Sequence, residues 1–71
     1  LIGQGRLEDA VCVFELNVEA FPEVADPYDS LAEGYMKQGR RELAIANYKH
    51  SLELDPHNEN AKVMLKKLGA P

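Results

Sequence analysis

Tryptophan is absent from the sequence, and aromatic residues of every kind amount to 7%. A core here cannot be organised around indole rings. It has to be filled by aliphatic side chains, small residues and a few tyrosines and phenylalanines. There is one cysteine, Cys12, so no internal disulfide can staple the chain. It leaves the redox compartment open, with a lean towards a reducing, cytoplasmic one. Basic residues are outnumbered, 8 Lys and Arg against 12 Asp and Glu, for a net charge of −4. That balance offers no overall attraction to phosphate, and the pairs Arg40-Arg41 and Lys66-Lys67 are too small to reverse it, so nucleic acid is excluded as an expected partner. No apolar run approaches the roughly 20 residues that a bilayer span needs, so no membrane association is expected.

Motifs of known chemistry are missing too. The sequence holds no Gly-rich phosphate loop, no paired-His zinc helix and no nucleophile elbow. His50 and His57 are separated by a helix end and a proline, with no cysteine or carboxylate cluster at ligand spacing. No metal and no cofactor is expected. Cys12 lacks a basic neighbour in sequence and is read as a buried or half-buried structural thiol. Ser30 and Ser51 fall within helical stretches and have no local base. The expectation is a protein that is not an enzyme.

What is present is a balance of 45% hydrophobic and 28% charged residues, which belongs to folded globular chains and argues against disorder. With 71 residues the chain makes one small unit whose stability depends on regular packing or on association. Slid over itself, the sequence matches at one offset, 34 residues. Gln4-Gly5-Arg6 falls on Gln38-Gly39-Arg40, Ala10 on Ala44, Val11 on Ile45, Phe14 on Tyr48, Val18 on Leu52 and Pro22 on Pro56. One fixed period of this length signals a repeat architecture.

Each half reads as helix. Tyr28, Leu31, Ala32 and Tyr35 stand at i, i+3, i+4 and i+7, a single stripe of an amphipathic helix. Ala44, Ile45, Tyr48, Ser51 and Leu52 make a similar stripe. Asp26-Pro27 is expected to start the first helix, with Asp26 as its cap, and Gly39 to stop it. Asp55-Pro56 is expected to stop the second. Ala32, Ala44 and Ser51 are small where helices should approach closely, and Phe14, Tyr28, Tyr35 and Tyr48 are expected to plug the gaps between hairpins. Gly34 stands mid-helix, where glycine costs about 1 kcal/mol relative to alanine. The sequence leaves open whether close approach or chance put it there.

The succession Tyr28-x2-Leu31-Ala32-x2-Tyr35, Ala44-x3-Tyr48 and Pro56 resembles the tetratricopeptide repeat pattern. The resemblance implies an all-α fold of about four helices, antiparallel hairpins of a right-handed α-solenoid. Residues 1–24 then correspond to the second half of a truncated repeat, 25–58 to a complete repeat and 59–71 to a C-terminal capping helix. The register makes Leu1-Ile2 the tail of an earlier helix, with the next helix at about 6–20, and implies that a longer chain precedes Leu1. The inner face of helix 6–20, Leu7, Ala10, Val11, Phe14 and Val18, is expected to need cover, and self-association through this truncated N-terminal helix is one source of it. In the cap, Ala61, Leu65 and Leu68 are expected to pack inward. Lys62 and Lys66 replace a ring and a small residue, as suits a solvated end.

The same resemblance implies a protein–protein interaction module. First helices of such repeats line a concave groove, which here would present Asp29, Ser30, Glu33, Met36 and Lys37, joined by Val63, Met64 and Lys67. Asp29 and Glu33 fall where a carboxylate-binding clamp would need Lys and Asn, so the expected ligand is a neutral or basic peptide or protein surface with an apolar anchor against Met36 or Met64. A second expected contact is the patch Cys12, Val13 and Leu16, where the complete repeat has Ala46, Asn47 and His50. An alternative reading comes from likeness to tetratricopeptide tails that follow bacterial serine hydrolase or β-lactamase-like domains. On that likeness the chain is a non-catalytic tail mediating oligomerisation.

Overall fold

A computed structural model describes residues 2–70, with side chains from Arg6 onward. Leu1, at the expected helix tail, and Pro71, at the expected stop after Gly69, lie outside the described residues. The described chain is four helices, α1 (Ile2–Ala20), α2 (Ala25–Lys37), α3 (Arg41–Leu54) and α4 (Glu59–Lys67), with no strand among the described residues. Each helix packs on the next in order, α1 on α2, α2 on α3 and α3 on α4. They form a slab of 36 × 28 × 15 Å.

The turns follow from local chemistry. After α2, Gly39 takes φ 79°, a left-handed conformation that only glycine enters without penalty. This lets its amide donate to the Met36 carbonyl at 3.0 Å and the Arg40 amide to the Tyr35 carbonyl at 2.8 Å. Gly69, at φ 75°, ends α4 in the same way. Its amide and that of Ala70 donate to Lys66 and Leu65 carbonyls at 3.1 and 2.9 Å. Between α3 and α4, Pro56 has no amide to continue the ladder. Asp55 folds its carboxylate onto the His57 amide at 3.0 Å, and the Asn58 side chain accepts from the Ala61 amide at 3.2 Å as the cap of α4.

Two local expectations are corrected. Gly5 was expected to break the chain as Gly39 does, yet α1 runs unbroken from Ile2. A turn at Gly39 is rewarded by α2 folding back on α3. Asp26 is not the cap of α2. Val24 holds the cap position with extended backbone and no side-chain bond, and Asp26 lies in the first turn. Its charge there still complements the helix dipole. Pro27 falls third in the helix, where an amide would have no intrahelical partner.

The core bears out the small-residue argument. Ala32, Ala44, Ser51 and Ala61 have no exposed surface, so the helices meet at backbone-to-Cβ distance at those points. Tyr48 is the large plug, 1% exposed, and Leu31, Tyr35 and Leu65 close the layer around it. The inner face of α1, expected to lack cover, lies against α2. Val11 is buried, and Leu7, Phe14 and Val18 pack on the core from its edge. Gly34 explains how. A Cβ there would meet Val11 Cγ2 at 2.8 Å and Phe14 Cδ2 at 3.5 Å, so the open question about this glycine closes in favour of close helix approach.

Polar ties lock the packing. Ser51 Oγ donates to the Ala25 carbonyl at 3.2 Å and accepts from Asn58 Nδ2 at 2.8 Å, so its burial leaves no polar atom unpaired. Tyr35 donates to Glu15 Oε2 at 2.9 Å, joining α2 to α1. Burial, and after it the bond to Glu15, pushes the Tyr35 phenol above its ordinary range. Arg41 donates to the Leu68 carbonyl, fastening the start of α3 to the end of α4. Tyr28 donates to the Pro22 carbonyl at 2.8 Å, and its ring lies 4.2 Å from that of His50, centroid to centroid. His50 is therefore half-buried against a ring. Cys12 is exposed and not a buried thiol, because no helix of the structure covers the outer side of α1.

Candidate functional site

α2 and α4 both lean on α3, which leaves a cleft between them of about 210 Å³, lined by Glu33, Met36, Lys37, Tyr48, Asn60 and Met64. The spacing explains the membership. Asn60 and Met64 are one helical turn apart on α4, as are Glu33 and Lys37 on α2, so each pair shares a stripe. The floor is Tyr48, whose hydroxyl donates to Met36 Sδ at 3.6 Å. Burial pushes the Tyr48 phenol up to about 12, with the charges of Asp29 and Glu33 adding to it. The phenol thus stays neutral across the ordinary pH range, a donor set in an apolar floor.

The rim is polar. Lys37 Nζ lies 3.5 Å from Glu33 Oε1, both side chains more than half exposed, so the pair contributes at most a few tenths of a kcal/mol and can open to a ligand. Asp29 accepts from Asn58 Nδ2 at 3.1 Å and from Asn60 Nδ2 at 2.9 Å. Its carboxylate therefore sets the angle of α4 against α2 and is not a free rim group.

Of the predicted groove residues, the cleft gathers Glu33, Met36, Lys37 and Met64. Asp29 lies beside it in the support just described, and Ser30 is half-buried without lining it. Val63 and Lys67 are exposed on the neighbouring stripe of α4, about 100° and about 60° around the helix from Met64. Sequence reasoning did not find Tyr48 or Asn60 as groove residues, nor Asn58 as part of their support. Tyr48 reads as a core plug, and nothing in the spacing shows that it forms the floor between α2 and α4. Asn60 was legible as the residue one turn before Met64, and Asn58 as a cap before Ala61.

Cys12, Val13 and Leu16 are exposed on the outer side of α1, Val13 by 53% and Leu16 by 63%. Cys12 and Leu16, with Glu15 and Glu19, line an open hollow of about 440 Å³. At the opposite end of the slab, Leu52, Lys62, Leu65, Lys66 and Ala70 line one of about 410 Å³. Among the described residues no group of three or more His, Cys, Asp or Glu stands together as a metal site, and no helix is long and apolar enough to cross a membrane.

Residues 25–58 match the family model described as tetratricopeptide repeat. No curated protein matches the chain.

Proposed function

Because the chain carries a tetratricopeptide repeat over residues 25–58, the general mark of a protein–protein interaction module, we propose that it holds a segment of another protein in the cleft between α2 and α4 and does no chemistry on it. The observation that carries this reading is the pairing of Met36 and Met64 across a polar-rimmed cleft. Methionine is unbranched and polarisable, so two facing thioethers adapt to a partner's apolar side chain without a rigid pocket.

The chemistry of the ligand follows from the rim. Glu33 and Asp29 stand at the α2 side, and the Glu33–Lys37 pair is exposed enough to exchange partners. A Lys or Arg of the ligand gains Glu33, while an acidic ligand meets Glu33 and Asp29 without a cluster of cations to offset them. The fit is therefore an apolar anchor with a neutral or basic neighbour. One anchor side chain, fully buried, contributes about 1.5–3 kcal/mol. That is less than the roughly 4 kcal/mol of a millimolar complex, so useful affinity requires further contacts along α2.

Selection of peptides from a random display library against the 71-residue chain tests the reading. It predicts enrichment of an apolar residue flanked by Lys or Arg, and loss of binding at least about tenfold with Met64→Asp or Glu33→Lys. Enrichment of acidic peptides, or selected peptides indifferent to both substitutions, would overturn it.

A further inference from the structure

We propose that the chain also associates head to tail with a second copy of itself, the open acidic face of α1 in one copy seating on the lysine-bearing end formed by α3 and α4 in the next. The contact uses none of the cleft residues and stands apart from the peptide-binding reading.

The internal repeat supplies the control. α1 and α3 correspond at the offset of 34. In α3, Ala44, Tyr48 and Ser51 are sealed beneath α2, none more than 1% exposed. Their counterparts in α1 are less covered: Ala10 is half-buried, Phe14 is half-buried against α2 alone, and Asn17 is exposed. Beside them, positions that hold Ala46, Asn47 and His50 in α3 hold Cys12, Val13 and Leu16. His50 has an occupant for its contact, the ring of Tyr28. Leu16, its counterpart, is 63% exposed.

Charge says what fits there. The hollow on α1 sets the carboxylates of Glu15 and Glu19 around Leu16 and Cys12, and Arg6 is the one basic residue of α1. The hollow at the other end sets the ammoniums of Lys62 and Lys66 around Leu52, Leu65 and Ala70. Among the described residues Glu19 and Lys66 are in no ion pair, the Glu15 carboxylate is held by the Tyr35 hydroxyl, and Lys62 meets Glu59 alone, at 3.4 Å on the exposed surface. The two faces are opposite in sign. Lys62 also stands where α2 has Tyr28, so the repeat that lays His50 on Tyr28 inside one chain lays Leu16 on the stem of Lys62 between two chains, leaving the ammonium free to reach Glu19.

The fit is looser than the α2–α3 hairpin. Lys66 stands where α2 has Ala32, so the helices cannot approach as closely, and the contact depends on charge and weakens with salt. The two surfaces differ, so the assembly is heterologous and either closes as a ring or extends as a filament.

Sedimentation velocity on the 71-residue chain over a concentration series tests this, with Glu19→Lys and Lys66→Glu variants chosen at exposed positions that carry no hydrogen bond of the fold. Circular dichroism checks that both stay helical. The wild-type chain is expected to gain mass with concentration and lose it with added salt. Each variant alone is expected to weaken association by at least about tenfold, since it places like charges at the contact. An equimolar mixture of the two restores opposite signs at both contacts and is expected to recover association. A wild-type chain that stays monomeric at every concentration overturns the proposal. So does association that ignores both substitutions, or that Glu19→Lys alone abolishes without recovery in the mixture, which would point to an α1–α1 dimer.

Discussion

Replacing Gly34 by alanine sets two effects of known size against each other. Alanine is the better helix former by about 1 kcal/mol, and position 34 lies inside α2, so an isolated helix would gain that much. Against this, the added Cβ would lie 2.8 Å from Val11 Cγ2, where ordinary contact begins near 3.4 Å. Val11 cannot step aside cheaply. It is 4% exposed, and a β-branched side chain has one strongly preferred rotamer in a helix. Overpacking of this kind costs about 1–3 kcal/mol. The balance is a net loss of about 1 kcal/mol, a fall of roughly 4–8 °C in Tm for a domain of this size. Urea and thermal unfolding followed by circular dichroism measure it. The mechanism predicts more than a sign. With Val11→Ala in place the clashing methyl is gone, and Gly34→Ala should then be neutral or stabilising, a positive coupling in a double-mutant cycle. Stabilisation by about 1 kcal/mol in the unmodified chain would refute the reasoning, because it would mean that α1 does not lie against Gly34.

Two further outcomes follow from polar groups. Asn58→Ala removes the α4 cap and the donations to Ser51 and Asp29, and should cost about 1–2 kcal/mol in urea unfolding. Asn58→Asp should recover little of this, since it keeps the cap acceptor but sets a second carboxylate beside Asp29. The Tyr48 phenol is held near 12 in the folded chain against about 10 when unfolded, so its neutral form favours the fold. That contribution is complete below pH 10 and is lost as pH rises through 12. Unfolding free energy should fall over that window, and Tyr48→Phe should flatten part of the slope. Tyrosinate absorbance showing all three phenols titrating together near 10 would count against it.

The fold was legible because its cause is periodic. Small residues at Ala32, Ala44 and Ser51 and rings at Tyr35 and Tyr48 recur at helical spacing, and proline and glycine mark the ends, so hairpin, register and core follow from pattern alone. What escaped was set by tertiary contact. Gly5 and Gly39 share the same local sequence, Gln-Gly-Arg, yet Gly39 turns and Gly5 lies within α1, so the local sequence alone does not set the turn. The role of Gly34 depends on how near α1 comes. The cleft was half legible for the same reason. Helical phase brings Glu33 and Lys37 onto one side, but the angle of α4 is set by Asp29 with Asn58 and Asn60, which lie 29 and 31 residues further along the chain. That angle puts Met64 in the cleft and leaves Val63 and Lys67 outside it.

The chain has two methionines, Met36 and Met64, and both line the cleft. Methyl-labelled methionine therefore gives two signals, each a reporter of the proposed binding surface. On titration with a selected peptide, both are predicted to shift together and to saturate with the same Kd. Binding that leaves both methyl signals in place would contradict the account.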